Sequence, residues 1–166
     1  MGNADVRKLT RNYLPILERH GFAAVLWDWD GVLVDSGYNF YQAYEMLLRD
    51  ELERVLTEAQ ARWFDVIITA DDALRGKPDP EPFLLATRAL KMEPEKCIVI
   101  ENAPFGIEAA RNAGCAVPAI CTTLSKEYLV RANWIVKDHE ELEVLLLGDT
   151  RQDADEEISS VSGDSR

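Results

Sequence analysis

Two carboxylates one residue apart, Asp28 and Asp30, close an apolar run and are followed at once by Gly31. Like charges that close repel unless a cation or a shared proton intervenes, and a hard divalent cation is the simplest remedy. A carboxylate at the end of a rigid strand can attack phosphorus and split one hard displacement into two easier ones, which assigns that role to Asp28. Asp30, in the turn beyond it, would protonate the leaving oxygen and later activate water. Lys77 sits in Arg75-Gly76-Lys77-Pro78-Asp79-Pro80, a stiff turn that holds its ammonium in place, where it would balance charge near the nucleophile. Thr69, Glu101 and Asn102 are further polar residues at the ends of apolar runs. Magnesium held by carboxylates would neutralise the repulsion between a phosphate dianion and Asp28 and align both for in-line attack.

Elements must carry these residues to one place. Residues 22–27 read as a buried parallel strand, and residues 64–69, 97–100, 116–121 and 134–136 as further strands. Helical periodicity covers 5–19, about 38–61, 81–90, 104–113 and 139–147, with Phe83, Leu84, Ala86 and Leu90 as the expected buried face of the third. Pro104 suits a helix start and Gly114 a stop, and His20 reads as a cap on the first helix. Strands alternating with helices predict an α/β fold, a three-layer Rossmann-like parallel sheet with helices on both faces. In such sheets ligands bind at the carboxyl ends of the strands, where Asp28, Asp30, Thr69, Lys77, Glu101 and Asn102 would gather.

Composition narrows the function classes. At 166 residues the chain suits one domain, with a core over 1–148 and a disordered acidic tail over 149–166. The net charge is −12, and the tail, with six acids and two bases, supplies −4 of it, so the remainder is acidic too. No basic stripe offers to neutralise a nucleic-acid backbone. No apolar run is long enough for a bilayer and no secretory leader precedes the core, so no membrane partner is expected and the cytoplasm is the expected compartment. Gly2 is not followed by the Ser or Thr that myristoylation requires, because position 6 is Val. Cys97, Cys115 and Cys121 show no metal spacing and read as buried reduced thiols.

Three stretches together carry a resemblance: Asp28-Trp29-Asp30-Gly31-Val32-Leu33-Val34-Asp35-Ser36, then Arg75 to Pro82, then Val99-Ile100-Glu101-Asn102-Ala103-Pro104-Phe105-Gly106-Ile107-Glu108-Ala109-Ala110. They resemble the first, third and fourth motifs of haloacid dehalogenase-like phosphohydrolases, in the beta-phosphoglucomutase and phosphoglycolate-phosphatase branch. The resemblance implies a magnesium-dependent phosphatase or phosphomutase acting on a small phosphorylated metabolite. Its nucleophile would be Asp28, its acid/base Asp30 and its charge-balancing lysine Lys77. Asp28, Asp30, Glu101 and Asn102 would lie at the metal, and Thr69, Trp29 and Gly31 beside the phosphate. Oligomeric state is left open.

Three departures qualify that expectation. Asn102 stands where relatives more often carry Asp, which predicts weaker metal binding. Trp29 is bulkier than the usual residue between the acids. Between Ser36 and Phe64 only 27 residues remain, positions 37–63, where relatives hold a cap domain and a strand ending in a phosphate-binding hydroxyl. The segment 37–62 is expected to be a helical remnant in place of the cap. The missing strand predicts that 64–69 moves in to pair with 23–28, so that Thr69 replaces the lost hydroxyl. An open site disfavours a mutase, whose phosphorylated intermediate needs protection from water. A catalytically impaired binding module, or an incomplete gene product, is the alternative.

Overall fold

In the computed structural model, residues 21–28, 32–33, 58–62 and 64–147 are described. The expected helices over 5–19 and most of 38–61, the residues Trp29, Asp30 and Gly31, and the acidic tail lie outside them. The elements are β1 (Ala24–Trp27), a single turn α1 (Glu58–Ala61), α2 (Glu81–Leu90), β2 (Cys97–Ile100), α3 (Pro104–Ala113), β3 (Pro118–Ile120), β4 (Trp134–Val136) and α4 (His139–Leu147).

The strands run parallel in the order β1-β2-β3-β4. β1 pairs with β2 from Ala24 opposite Cys97 to Trp27 opposite Ile100, and β3 pairs with β4 from Pro118 opposite Trp134 to Ile120 opposite Val136. Bridges at Ile98 with Ala116 and Glu101 with Ala119 join the two pairs.

Alternation along β2 decides the layers. Cys97 and Val99 point into a core with Phe83 of α2 and with Ile107, Ala109, Ala110 and Ala113 of α3. Ile98 and Ile100 point the other way, into a core with Leu142 and Leu146 of α4. A strand with apolar residues on both faces needs a layer on each side, and the structure supplies both. The doubly covered parallel sheet predicted from the sequence is therefore present. Each fully buried isoleucine or valine in β2 contributes about 1.5–3 kcal/mol.

The helices end as their sequences dictate. α2 stops at Lys91, which takes the left-handed conformation at φ 57°, and α3 stops at Gly114 at φ 93°. On α2 the fully buried residues are Pro82, Phe83 and Thr87, whereas Leu84, Ala86 and Leu90 are half-buried. Among the described residues, no helix is long and apolar enough to cross a membrane.

One expected strand is missing. Residues 64–69 form no ladder, and β1 takes β2 as its partner rather than this segment. The reason is local. Asp72 accepts hydrogen bonds from both the amide and the hydroxyl of Thr69, each at 2.8 Å, and the Asp72 amide donates to the Thr69 carbonyl at 3.1 Å. A side-chain-closed turn of this kind uses the backbone groups a strand would need. β1 is also only half-buried along its length, not sealed on both faces as its apolar sequence suggested.

Candidate active site

The register of β1 on β2 places Asp28 next to Glu101, one step beyond the last paired residues, with the Asp28 amide donating to the Ile100 carbonyl at 3.0 Å. Residues 24, 26 and 28 share a face with 97, 99 and 101, so the two carboxylates project to the same side. Directly opposed like charges destabilise a sheet. Lys77 resolves the conflict: its ammonium donates to Asp28 Oδ1 at 2.6 Å and to Glu101 Oε1 at 2.5 Å.

The lysine is held from several directions. Arg75 donates to Glu81 Oε2 through its backbone amide at 2.9 Å and through Nε at 3.2 Å, and it pairs with Asp79 at 3.3 Å. The Asp79 amide closes the turn on the Gly76 carbonyl at 3.0 Å, and the Lys77–Pro78 peptide is cis. The Lys77 ammonium also lies 5.2 Å from the centroid of the Phe83 ring, a cation–π contact. Burial works against the lysine's charge, but Asp28 and Glu101 outweigh it and hold its pKa well above the ordinary value, so it stays protonated.

Glu101 is fully buried. Its second oxygen, Oε2, accepts from the amides of Asn102 at 3.0 Å and Ala103 at 3.2 Å. Burial, with the Asp28 charge behind it, pushes the Glu101 carboxyl up to about 7 against the pull of Lys77. Gly106 makes room for this carboxylate. A Cβ built at Gly106 would lie 1.8 Å from Oε1 and 2.3 Å from Oε2. The third residue of α3 therefore has to be glycine if the helix is to run this close to the site.

Asn102 is also buried, and its Nδ2 donates to Thr123 Oγ1 at 2.9 Å. On the far side, His139 Nε2 lies 2.8 Å from the carbonyl of Val32, which ties the start of α4 to the turn that follows Asp28 and Asp30 in the chain.

Of the residues expected from the sequence, the structure brings Asp28, Lys77 and Glu101 into one hydrogen-bonded cluster, with Asn102 adjacent. Thr69 is not hydrogen-bonded into it; its hydroxyl belongs to Asp72. Trp29, Asp30 and Gly31 lie outside the described residues. Phe83, Gly106, Thr123 and His139 were not expected to serve the site. Only Gly106 left a signal, a glycine inside an otherwise well-formed helical pattern.

The donors suit a hard cation in part. Asp28 Oδ2 has no hydrogen-bond partner among the described residues, and with Nδ2 given to Thr123 the Asn102 Oδ1 is the atom left to ligate. Both are oxygens of the kind magnesium prefers. Each Glu101 oxygen already accepts hydrogen bonds, Oε1 from Lys77 and Oε2 from the Asn102 and Ala103 amides. Among the described residues no three His, Cys, Asp or Glu side chains gather into a metal cage.

Comparison with known proteins adds to this geometry. Residues 47–120 match the haloacid dehalogenase-like hydrolase family, a range that includes Lys77, Glu101 and Asn102 but begins after Asp28. Validoxylamine A 7'-phosphate phosphatase of Streptomyces hygroscopicus subsp. limoneus is 47% identical over 91 residues, which cover 54% of this chain and 43% of that protein. Glycerol-1-phosphate phosphohydrolase 1 of Saccharomyces cerevisiae is 37% identical over 100 residues, covering 50% of this chain and 40% of that protein. The chain thus spans less than half the length of these two curated relatives. Among solved structures, a protein assigned as a beta-phosphoglucomutase from Thermotoga maritima superposes with a TM-score of 0.55 at 29% identity, over 82% of this chain and 57% of that one. With strand-end acids bridged by a lysine, the chain is similar to haloacid dehalogenase-like hydrolases in the sequence of residues 47–120, and in fold to a protein assigned as a beta-phosphoglucomutase.

Proposed function

We propose that this protein is a phosphohydrolase that cleaves small phosphate monoesters through an aspartyl-phosphate on Asp28. The observation that carries this reading is the Lys77 ammonium bridging Asp28 and Glu101 at neighbouring strand ends. Oδ2 of Asp28 is left for the cation, and Oδ1, held by Lys77, is the oxygen that attacks phosphorus. A new O–P bond forms there as the ester P–O bond breaks, and the leaving oxygen takes a proton from Asp30, assigned by its position two residues on. Water, deprotonated by Asp30, then splits the aspartyl-phosphate and frees Asp28. Magnesium, when bound by Asp28 and Asn102, with Asp30 as the further ligand its position suggests, would offset the charge between phosphate and carboxylate. Lys77 is paired with two carboxylates, so its charge is largely spent before substrate arrives, which makes that offset necessary.

The named activities of the two relatives support a phosphorylated sugar-like or polyol-like substrate class. The three free thiols suit a reducing compartment such as the cytoplasm. The test is an aryl-phosphate assay with and without magnesium, alongside Asp28→Asn. Magnesium-dependent turnover that disappears in the variant is expected, and turnover that survives it would overturn the nucleophile. A second reading, a phosphate-binding module without turnover, is favoured by the short 37–63 segment and by the Thr69 hydroxyl being held by Asp72. Phosphate binding with no hydrolysis under any condition would select it.

A further inference from the structure

We infer that His139 is a positioning residue for the acid/base step, because it fixes the far end of the short turn that carries Asp30. The inference rests on the phosphohydrolase reading above and adds to it what holds the acid in place. Asp28 anchors the near end, with its amide bonded to the Ile100 carbonyl and its carboxylate to Lys77. Only Trp29, Asp30 and Gly31 separate it from Val32. Val32 is gripped twice by α4: its side chain is buried in the core that includes Leu142 and Leu146, and its carbonyl lies 2.8 Å from His139 Nε2. A carbonyl oxygen only accepts, so Nε2 carries the hydrogen, in the neutral and in the charged imidazole alike. Each residue spans at most about 3.6 Å, so a short link between two held ends leaves an acid in its middle little room to move.

The start of α4 is built to hold the ring in place. Asp138 Oδ1 accepts from the Glu141 amide at 3.0 Å, the Leu142 amide donates to the Asp138 carbonyl at 3.0 Å, and the Glu141 carboxylate accepts from the Lys137 amide. These are the contacts of a capped helix N-terminus, and they fix the backbone on both sides of His139. His139 is exposed, so removing its ring leaves no cavity. What the ring supplies is one directed hydrogen bond to the turn.

The experiment measures kcat/KM, which reports the first phosphoryl transfer, at saturating magnesium for aryl phosphates running from p-nitrophenyl to phenyl phosphate. Protonation by Asp30 matters little for the good leaving group and much for the poor one. His139→Leu is therefore expected to lower kcat/KM about 10- to 100-fold for phenyl phosphate and no more than about threefold for p-nitrophenyl phosphate. His139→Gln is expected to restore most of the loss, since its amide nitrogen reaches about as far as Nε2, whereas the shorter His139→Asn is not. Thermal melting of each variant reports folding, and the contrast between Gln and Asn, both polar, replaces the leucine variant if that one melts early. A loss equal across the series, or no loss in either His139→Leu or His139→Asn, would overturn the inference alone. A native chain with no magnesium-dependent turnover would overturn the phosphohydrolase reading and this inference with it.

Discussion

Glu101 is wholly buried and accepts three hydrogen bonds, whereas Asp28, its neighbour across the ladder, keeps a side-chain exposure of 19% and holds one. The same contrast runs through the strands beneath them, since β2 is fully buried and β1 half-buried throughout. The two halves of the site are thus built by different means. Glu101 is fixed by its own neighbourhood in the chain: the amides of residues 102 and 103 and the gap left by Gly106 all lie within five positions. Asp28 is fixed by Lys77, 49 positions away, and by the register of two parallel strands. The site thus joins a buried carboxylate anchored by its own segment to a partly exposed one held from a distance.

The largest expected effect comes from removing the bridge between the halves. Lys77→Met leaves two opposed carboxylates with no cation between them, and the loss of a partner from a buried ion pair costs about 3–5 kcal/mol. Denaturant unfolding at pH 8 is the measurement; a change under about 1 kcal/mol would mean that the halves are not coupled through this lysine. Next in size is Gly106→Ala, directed at the anchor alone. Its methyl would overlap the Glu101 carboxylate, and such overpacking costs about 1–3 kcal/mol. Magnesium-dependent turnover should fall with it, whereas a variant as stable and as active as the native chain would show that α3 can move away.

The smallest effect is read from pH. The Glu101 carboxyl is raised in the folded chain from 4.5 to about 7, so between those values the folded state binds more protons than the unfolded one. Stability from this group is therefore fully present below about 4.5 and declines as pH rises towards 7, by about 1.4 kcal/mol per pH unit at most. Glu101→Gln should flatten that slope in unfolding curves taken across the window. A slope unchanged by the substitution would assign the titration elsewhere.

Much of this was legible in the sequence because the site lies where periodic segments end. Helices over 81–90, 104–113 and 139–147, and strands over 97–100 and 134–136, follow from apolar spacing with Pro and Gly stops. Residues 64–69 misled because β-branched content favours a strand only when a neighbouring edge is available, and here Asp72 closes a turn on Thr69 first. Thr123 and His139 left no sequence signal, since each serves the site through a single contact with a residue distant in the chain.

By itself, then, the sequence determined the chemistry available: acids at a strand end, a lysine on a stiff turn, and an acid–amide pair before a helix, because those depend on residue type and local periodicity. Only the tertiary structure decided that Lys77 bridges both carboxylates, that Glu101 accepts from Lys77 and two amides, that Gly106 leaves room for the Glu101 carboxylate and that Asn102 meets Thr123. The physical reason is the same in each case. Charge pairing, excluded volume and hydrogen-bond direction act over a few ångströms in space, between groups whose approach the order of residues along the chain does not specify.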